Sequence, residues 1–328
     1  MLLIKDIDMS KLFIKFNEDN GLSSKLSNIR ETDQHQYIKS LPIDTYSRKI
    51  KDIEISLKNL VTYSNTLIGY NEGSEHPIKS YVQALASFYD NIFRILKYTQ
   101  DLKNIDDSNN SIAWVRKNGT KVNKSFSRKT WTQQNLISRI DNKIKHDDVR
   151  IKECEINKTY VSKSTGIESK ENIKGFFINS IIDNKELWGP DPEIHTYLDK
   201  VTATAFSYNF FMLNTCYSLL YWLEVLGEIL NKNLSKNPPY QDTSLSNILY
   251  IVSEIEEKFF PDEYKKAYVQ VIKKEDGFSI NYPYRYPKLK KDRLLLQGRV
   301  TGGMDFNSRT SSSKQKIPYL NLAEKYWQ

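Results

Sequence analysis

Between residues 45 and 70 the apolar positions Ile50, Ile53, Leu57, Leu60, Val61 and Ile68 recur every three or four residues, the spacing of one helical face. The stretch NEGSEHP breaks that pattern, and Pro77 suits the first turn of a second helix striped by Tyr81, Leu85, Phe88, Ile92 and Ile95. Two long helices joined by a short loop are expected to pack antiparallel. Residues 101–127 are polar and predict a connecting loop. The helical pattern returns in KTWTQQNLISRIDNKIKH, residues 129–146, with Leu136, Ile140 and Ile144 on its apolar face and Ser127 or Thr130 as its cap. Alternating β-branched residues and Gly175 in the following segment predict a β-hairpin. WGPDP, residues 188–192, then punctuates the chain before a fourth helix over 193–233.

The ends are less regular. LLIKDIDMSKLFIKF predicts one or two short strands, and residues 17–40 read as loop or short helix. NPPY at 237–240 marks a linker, LSNILYIVSEIEEKFF beyond it looks helical, and the Pro-, Gly- and Ser-rich end is expected to be irregular, with VTGGMD as a turn. The expected fold is therefore mainly α. A four-helix bundle over 41–235 carries a β-hairpin insertion, at about 147–190, before its last helix. An N-terminal extension (1–40) and a C-terminal helix with a basic tail (236–328) flank it.

Composition sharpens this picture. Only 12 Gly and 10 Pro disfavour a turn-rich all-β fold. The run from Val201 to Leu223 has no charged residue and is long enough to span a bilayer. It is diluted by Thr202, Thr204, Ser207 and Asn209, and predicts a buried central helix rather than a membrane span. The net charge of +8 suits a polyanionic partner. Cys154 and Cys216 form no CxxC pair, which excludes a cysteine zinc site and a disulfide framework and fits a reducing cytoplasm. No HExxH, GxxxxGK[ST] or GxSxG is present, so neither a metal nor a nucleotide cofactor is expected.

Candidate chemistry concentrates in SRIDNKIKHDDVRI, residues 138–151. On a helix Arg139 and His146 would differ by about 20° around the axis and lie about 10 Å apart along it, with Asn142 and Lys143 on the same stripe. Those residue types permit metal-independent cleavage of RNA by its own 2′-hydroxyl. Imidazole exchanges a proton near neutral pH, and guanidinium holds phosphate oxygens while charge develops. One histidine supplies base or acid but not both, so a homodimer pairing two copies belongs to this reading. Upstream, WVRKNGTKVNKSFSRKTW places Arg116, Lys117, Lys121, Lys124, Arg128 and Lys129 beside Trp114, Phe126 and Trp131 with no acidic residue among them. Interleaved cations and aromatics suit a flexible RNA strand. The alternative stays open that Arg139 pairs with an acidic residue on a solvated face and that His146 caps a helix end.

The arrangement resembles the HEPN superfamily, helical bundles in which one helix bears an Arg, a four-to-six-residue spacer and a His, here Arg139–IDNKIK–His146. The resemblance implies a HEPN-like bundle and a metal-independent endoribonuclease, a toxin or phage-defence effector restrained by an antitoxin or activator protein. Arg139 and His146 would be its catalytic pair. Where the family often has a polar residue directly after the arginine this chain has Ile140, and Asn142 is the candidate to take that role. The competing expectation is a non-catalytic helical interaction or nucleic-acid-binding protein.

Overall fold

The computed structural model describes residues 26, 42–66, 76–98, 110–145, 150–162, 168–180, 189–197, 203–233, 243–275, 277–285 and 298–305 of the 328-residue chain. Over these residues the protein is mainly helical, with a small antiparallel sheet and a separate two-stranded hairpin.

Helix α1 (Pro42–Asn65) buries Ile50, Ile53, Leu57 and Leu60 against α2 (Pro77–Tyr98), which returns Tyr81, Leu85, Phe88 and Ile92. Pro77 opens α2, and the ring Nδ1 of His76 accepts the Ile78 N–H at 3.2 Å, satisfying one of the orphan donors of the first turn.

The polar stretch after α2 is not the loop its composition suggested. It holds α3 (Ser111–Asn118) and the first turns of α4 (Lys121–Ile144). Each has a side-chain cap: Asn110 Oδ1 accepts the Ala113 N–H at 3.0 Å and Thr120 Oγ1 accepts the Asn123 N–H at 3.2 Å. Thr120, rather than Ser127 or Thr130, therefore starts the third long helix. Thr130 is fully buried and shares a hydrogen bond with Tyr89.

Strands β1 (Ile151–Ser162) and β2 (Glu168–Ile178) form an antiparallel hairpin between α4 and the next long helix, with Ile151 opposite Ile178 and Cys154 opposite Gly175. The region expected to begin a fourth helix at 193 contains turns and isolated bridges instead. They lead into the two-residue strand β3 (Phe206–Ser207) and only then into α5 (Tyr208–Asn233). Asp191 and Pro192 break the helix there, and Asp191 takes the backbone N–H of Glu193 onto its own side chain at 2.9 Å.

Helix α5 is the centre of the molecule. From Tyr208 to Leu230 none of its residues is exposed, and it touches α2, α4, β2 and β3. Beyond it, α6 (Thr243–Ser253) packs on α1, and a hairpin of β4 (Tyr268–Lys274) and β5 (Gly277–Tyr284) lies against α5 and α6. Tyr268 and Val269 join the same core as the helices. EIEEKFF leaves the helix that its sequence suggested, and Phe259 and Phe260 are wholly buried.

The expected irregular end contains strands. VTGGMD is part of β6 (Gly298–Asp305), which pairs antiparallel with β1 and places Met304 opposite Ile156, giving the sheet order β3-β2-β1-β6. Gly302 and Gly303 sit opposite Lys158 and Asn157 in the ladder rather than in a turn. The expected N-terminal strands lie outside the described residues, and Leu26 is buried in the main core. Among the described residues no helix is long and apolar enough to cross a membrane.

Candidate nucleic-acid interface

Helix α4 is two-faced along its whole length. Phe126, Thr130, Ile137, Ile140 and Ile144 are buried, while Lys121, Lys124, Arg128, Trp131, Arg139 and Asn142 are exposed. At 100° per residue these six exposed positions fall within an arc of about 80°, a single ridge about 30 Å long. Lys121 and Arg139, 18 residues apart, share one azimuth because 18 residues make five turns. Between residues 111 and 140 there is no acidic residue.

The structure sorts the anticipated RNA contacts. Arg116 and Lys117 lie exposed near the end of α3, and Lys124 Nζ donates to the Lys117 carbonyl at 3.0 Å, joining that end to the ridge. Lys129 turns off the ridge and pairs with Glu228 of α5 at 2.6 Å, so its charge is matched. Two of the three aromatics are lost as stacking platforms: Trp114 and Phe126 are buried, Trp114 beneath Lys97, whose Nζ lies 5.3 Å from the ring centroid. Trp131, 57% exposed, remains.

The C-terminal end of the ridge is engaged. Arg139 Nη1 donates to the Glu193 carbonyl at 2.8 Å. Lys143 Nζ sits 3.1 Å from Asp191 Oδ2 and 2.9 Å from Glu193 Oε2, and those bonds, to Glu193 first, raise its ammonium pKa against the effect of burial. Arg139 and Lys143 thus grip the turn at 189–197, Lys143 through the carboxylates of Asp191 and Glu193 and Arg139 through a backbone carbonyl rather than an acidic side chain. Asn142 is exposed. His146 lies outside the described residues, which end in this helix at its C-cap, Lys145.

The turn itself is well fastened to the sheet. The Asp191 N–H donates to the Ile178 carbonyl at 2.7 Å, and the Ile178 N–H donates to His195 Nε2 at 2.9 Å. Full burial lowers the imidazole pKa of His195 to about 3, so it stays neutral.

Two polar constellations escaped sequence reasoning. Glu153 on β1 accepts hydrogen bonds at Oε1 from Tyr63 of α1 and, at 3.0 Å, from Tyr208 of α5, with His76 Nε2 3.8 Å from the same oxygen. Burial would raise the Glu153 pKa, but His76, Tyr63 and Tyr208 together hold it below the usual carboxylate value. Glu263, wholly buried, accepts from the Ser207 N–H, the Ser207 hydroxyl and the Phe260 N–H at 3.0, 2.6 and 2.8 Å. Apart from Phe260, three residues before Glu263, the partners of each carboxylate are separated from it by tens of residues and share no periodicity with it, so no local signal announces them. Cys154 is buried, and burial raises its thiol pKa, which keeps it in the unreactive thiol form. Among the described residues no group of three or more His, Cys, Asp or Glu is placed to hold a metal ion.

Comparison with family models, with curated proteins and with solved structures finds no match to this chain.

Proposed function

We propose that this chain binds single-stranded RNA along the exposed ridge of α4 and the adjoining end of α3. The observation that carries this reading is the alignment of Lys121, Lys124, Arg128 and Trp131 on one exposed face, inside a 30-residue stretch from 111 to 140 free of acidic residues. A flexible strand offers phosphates to such cations and unstacked bases to an exposed indole, whereas a duplex keeps its bases stacked away from it. The test is fluorescence anisotropy with labelled RNA across a salt series. Three phosphate contacts give a log–log salt slope near −2, and Lys121→Ala/Lys124→Ala/Arg128→Ala should abolish about that much of it. Trp131→Ala should weaken binding by about 1–3 kcal/mol with the slope unchanged. A slope untouched by the triple substitution refutes the reading.

A second, cleaving reading is favoured by the place of Arg139, exposed and on the same azimuth as Lys121 at the far end of the ridge. In it the packing of α1 on α2, α2 on α4 and α4 on α5 supports a four-helix HEPN-like bundle. The chain then acts in the cytoplasm as a metal-independent endoribonuclease of the toxin or phage-defence kind, under an antitoxin or activator protein. Arg139 stabilises the pentacovalent transition state, Asn142 orients the phosphate, and His146 transfers the proton, with a homodimer supplying the second imidazole. Incubation with mixed RNA in EDTA distinguishes the two readings. Cutting that leaves cyclic phosphate ends and disappears in His146→Ala supports cleavage; undiminished binding with no cutting leaves the protein a binder.

A further inference from the structure

Resting on the reading of α4 as an RNA-binding ridge, we infer that Arg139 and Lys143 form a phosphate subsite at its C-terminal end, and that Glu193 is the resident counterion which RNA displaces. Both cations reach the same residue: Arg139 Nη1 binds the Glu193 carbonyl at 2.8 Å and Lys143 Nζ binds its carboxylate at 2.9 Å. They stand one turn apart on α4, so an anion at this point meets two positive groups at once.

The two acids at Lys143 are not equivalent. Asp191 has a side chain only 5% exposed, its backbone N–H is tied to Ile178, and its Oδ1 caps the Glu193 N–H. It is part of the scaffold. The Glu193 side chain is 66% exposed and holds Lys143 from the solvent side. An exposed pair of this kind contributes little to stability, so the carboxylate leaves by side-chain rotation alone, without disturbing the turn beneath it. The turn is fixed independently of Glu193: the Gly189 N–H donates to Asn179 Oδ1 at 2.7 Å and His195 receives the Ile178 N–H. A carboxylate presented to Lys143 on a rigid support, beside the Arg139 guanidinium that the Glu193 carbonyl holds, stands where a phosphate would bind. It neutralises the ridge's end when RNA is absent and competes with RNA for it.

The experiment measures binding of a labelled RNA of about 12 nucleotides, between roughly 50 and 200 mM salt, for the full chain and its variants. Glu193→Gln should tighten binding about two- to fivefold and steepen the salt slope by about 0.7, the signature of one more phosphate contact on a single strand. Glu193→Ala, which removes the side-chain acceptor at Lys143 and leaves the backbone carbonyl at Arg139, should do at least as much. Glu254→Gln makes the same change of net charge at an exposed residue just past α6 and should give neither the tightening nor the steeper slope. Glu193 variants indistinguishable from Glu254→Gln, with binding still lost on replacing Lys121, Lys124 and Arg128, overturn the inference and leave the ridge reading standing. Failure of the unmodified protein to bind RNA removes both.

Discussion

Glu263 carries a side chain that ought to be ionised at neutral pH in a place where ionisation is costly. Burial raises its pKa to about 8, against the lowering effects of the Ser207 hydrogen bond, Lys266 and the Phe260 N–H. A pKa above that of the unfolded chain means that the fold favours the protonated form. The resulting stability is complete below about pH 4.5 and is lost as pH rises through about 8. The melting temperature should therefore fall as pH rises from about 4.5 to about 8 and level off above that. Glu263→Gln, neutral at every pH but with one accepting oxygen in place of two, should flatten that decline around a lower melting temperature. Equal slopes for both proteins would contradict the assignment. The same logic explains why residue type misled at the candidate site. Arg139 and Lys143 were legible as cations on one stripe, but their partners Asp191 and Glu193 belong to a turn that only the tertiary fold brings alongside. Trp114 and Phe126 looked like stacking platforms because aromaticity is visible in a sequence and burial at 4% and 0% is not.

Among the elements, β3 is only two residues long, yet it seats β2 through Gly175, which pairs with Ser207. A methyl group at Gly175 would lie 2.1 Å from the Phe206 carbonyl oxygen and 2.6 Å from the Phe260 ring. Backbone cannot yield as a flexible side chain can, so Gly175→Ala should cost at least about 2 kcal/mol in urea unfolding. A cost below about 0.5 kcal/mol would show that β3 and β2 separate freely. Long amphipathic helices such as α1 and α2 were readable, since the stripes Ile50–Ile53–Leu57 and Leu85–Phe88–Ile92 repeat over several turns. Capping and breaking were harder. Asn110 and Thr120 make helices of a stretch whose polarity resembles a loop, and α5 starts fifteen residues after its expected beginning at 193. Strand β6 was hidden because VTGGMD carries turn residues, and its order comes from pairing with β1, whose partner residues lie 136 to 150 positions earlier.

At the level of the molecule, the helices, the β4–β5 hairpin and the inner strands converge on one continuous core with α5 at its centre. Leu220, wholly buried on α5, should cost about 2–5 kcal/mol when truncated to Ala, with helical and aromatic signals lost in a single transition. Two transitions would mean that the C-terminal hairpin is a separate unit.

The position of α5 in the chain also bears on synthesis. The inner faces of α2 and α4 are completed by a helix that ends at Asn233, so the ribosome releases some ninety residues after α4 ends before those faces can close. Meanwhile the nascent polypeptide displays Phe88, Ile92, Phe126 and Ile137 to the cellular milieu, a natural substrate for holdase chaperones. Slowing translation upstream of residue 208 should lengthen that exposure and lower the yield of native protein.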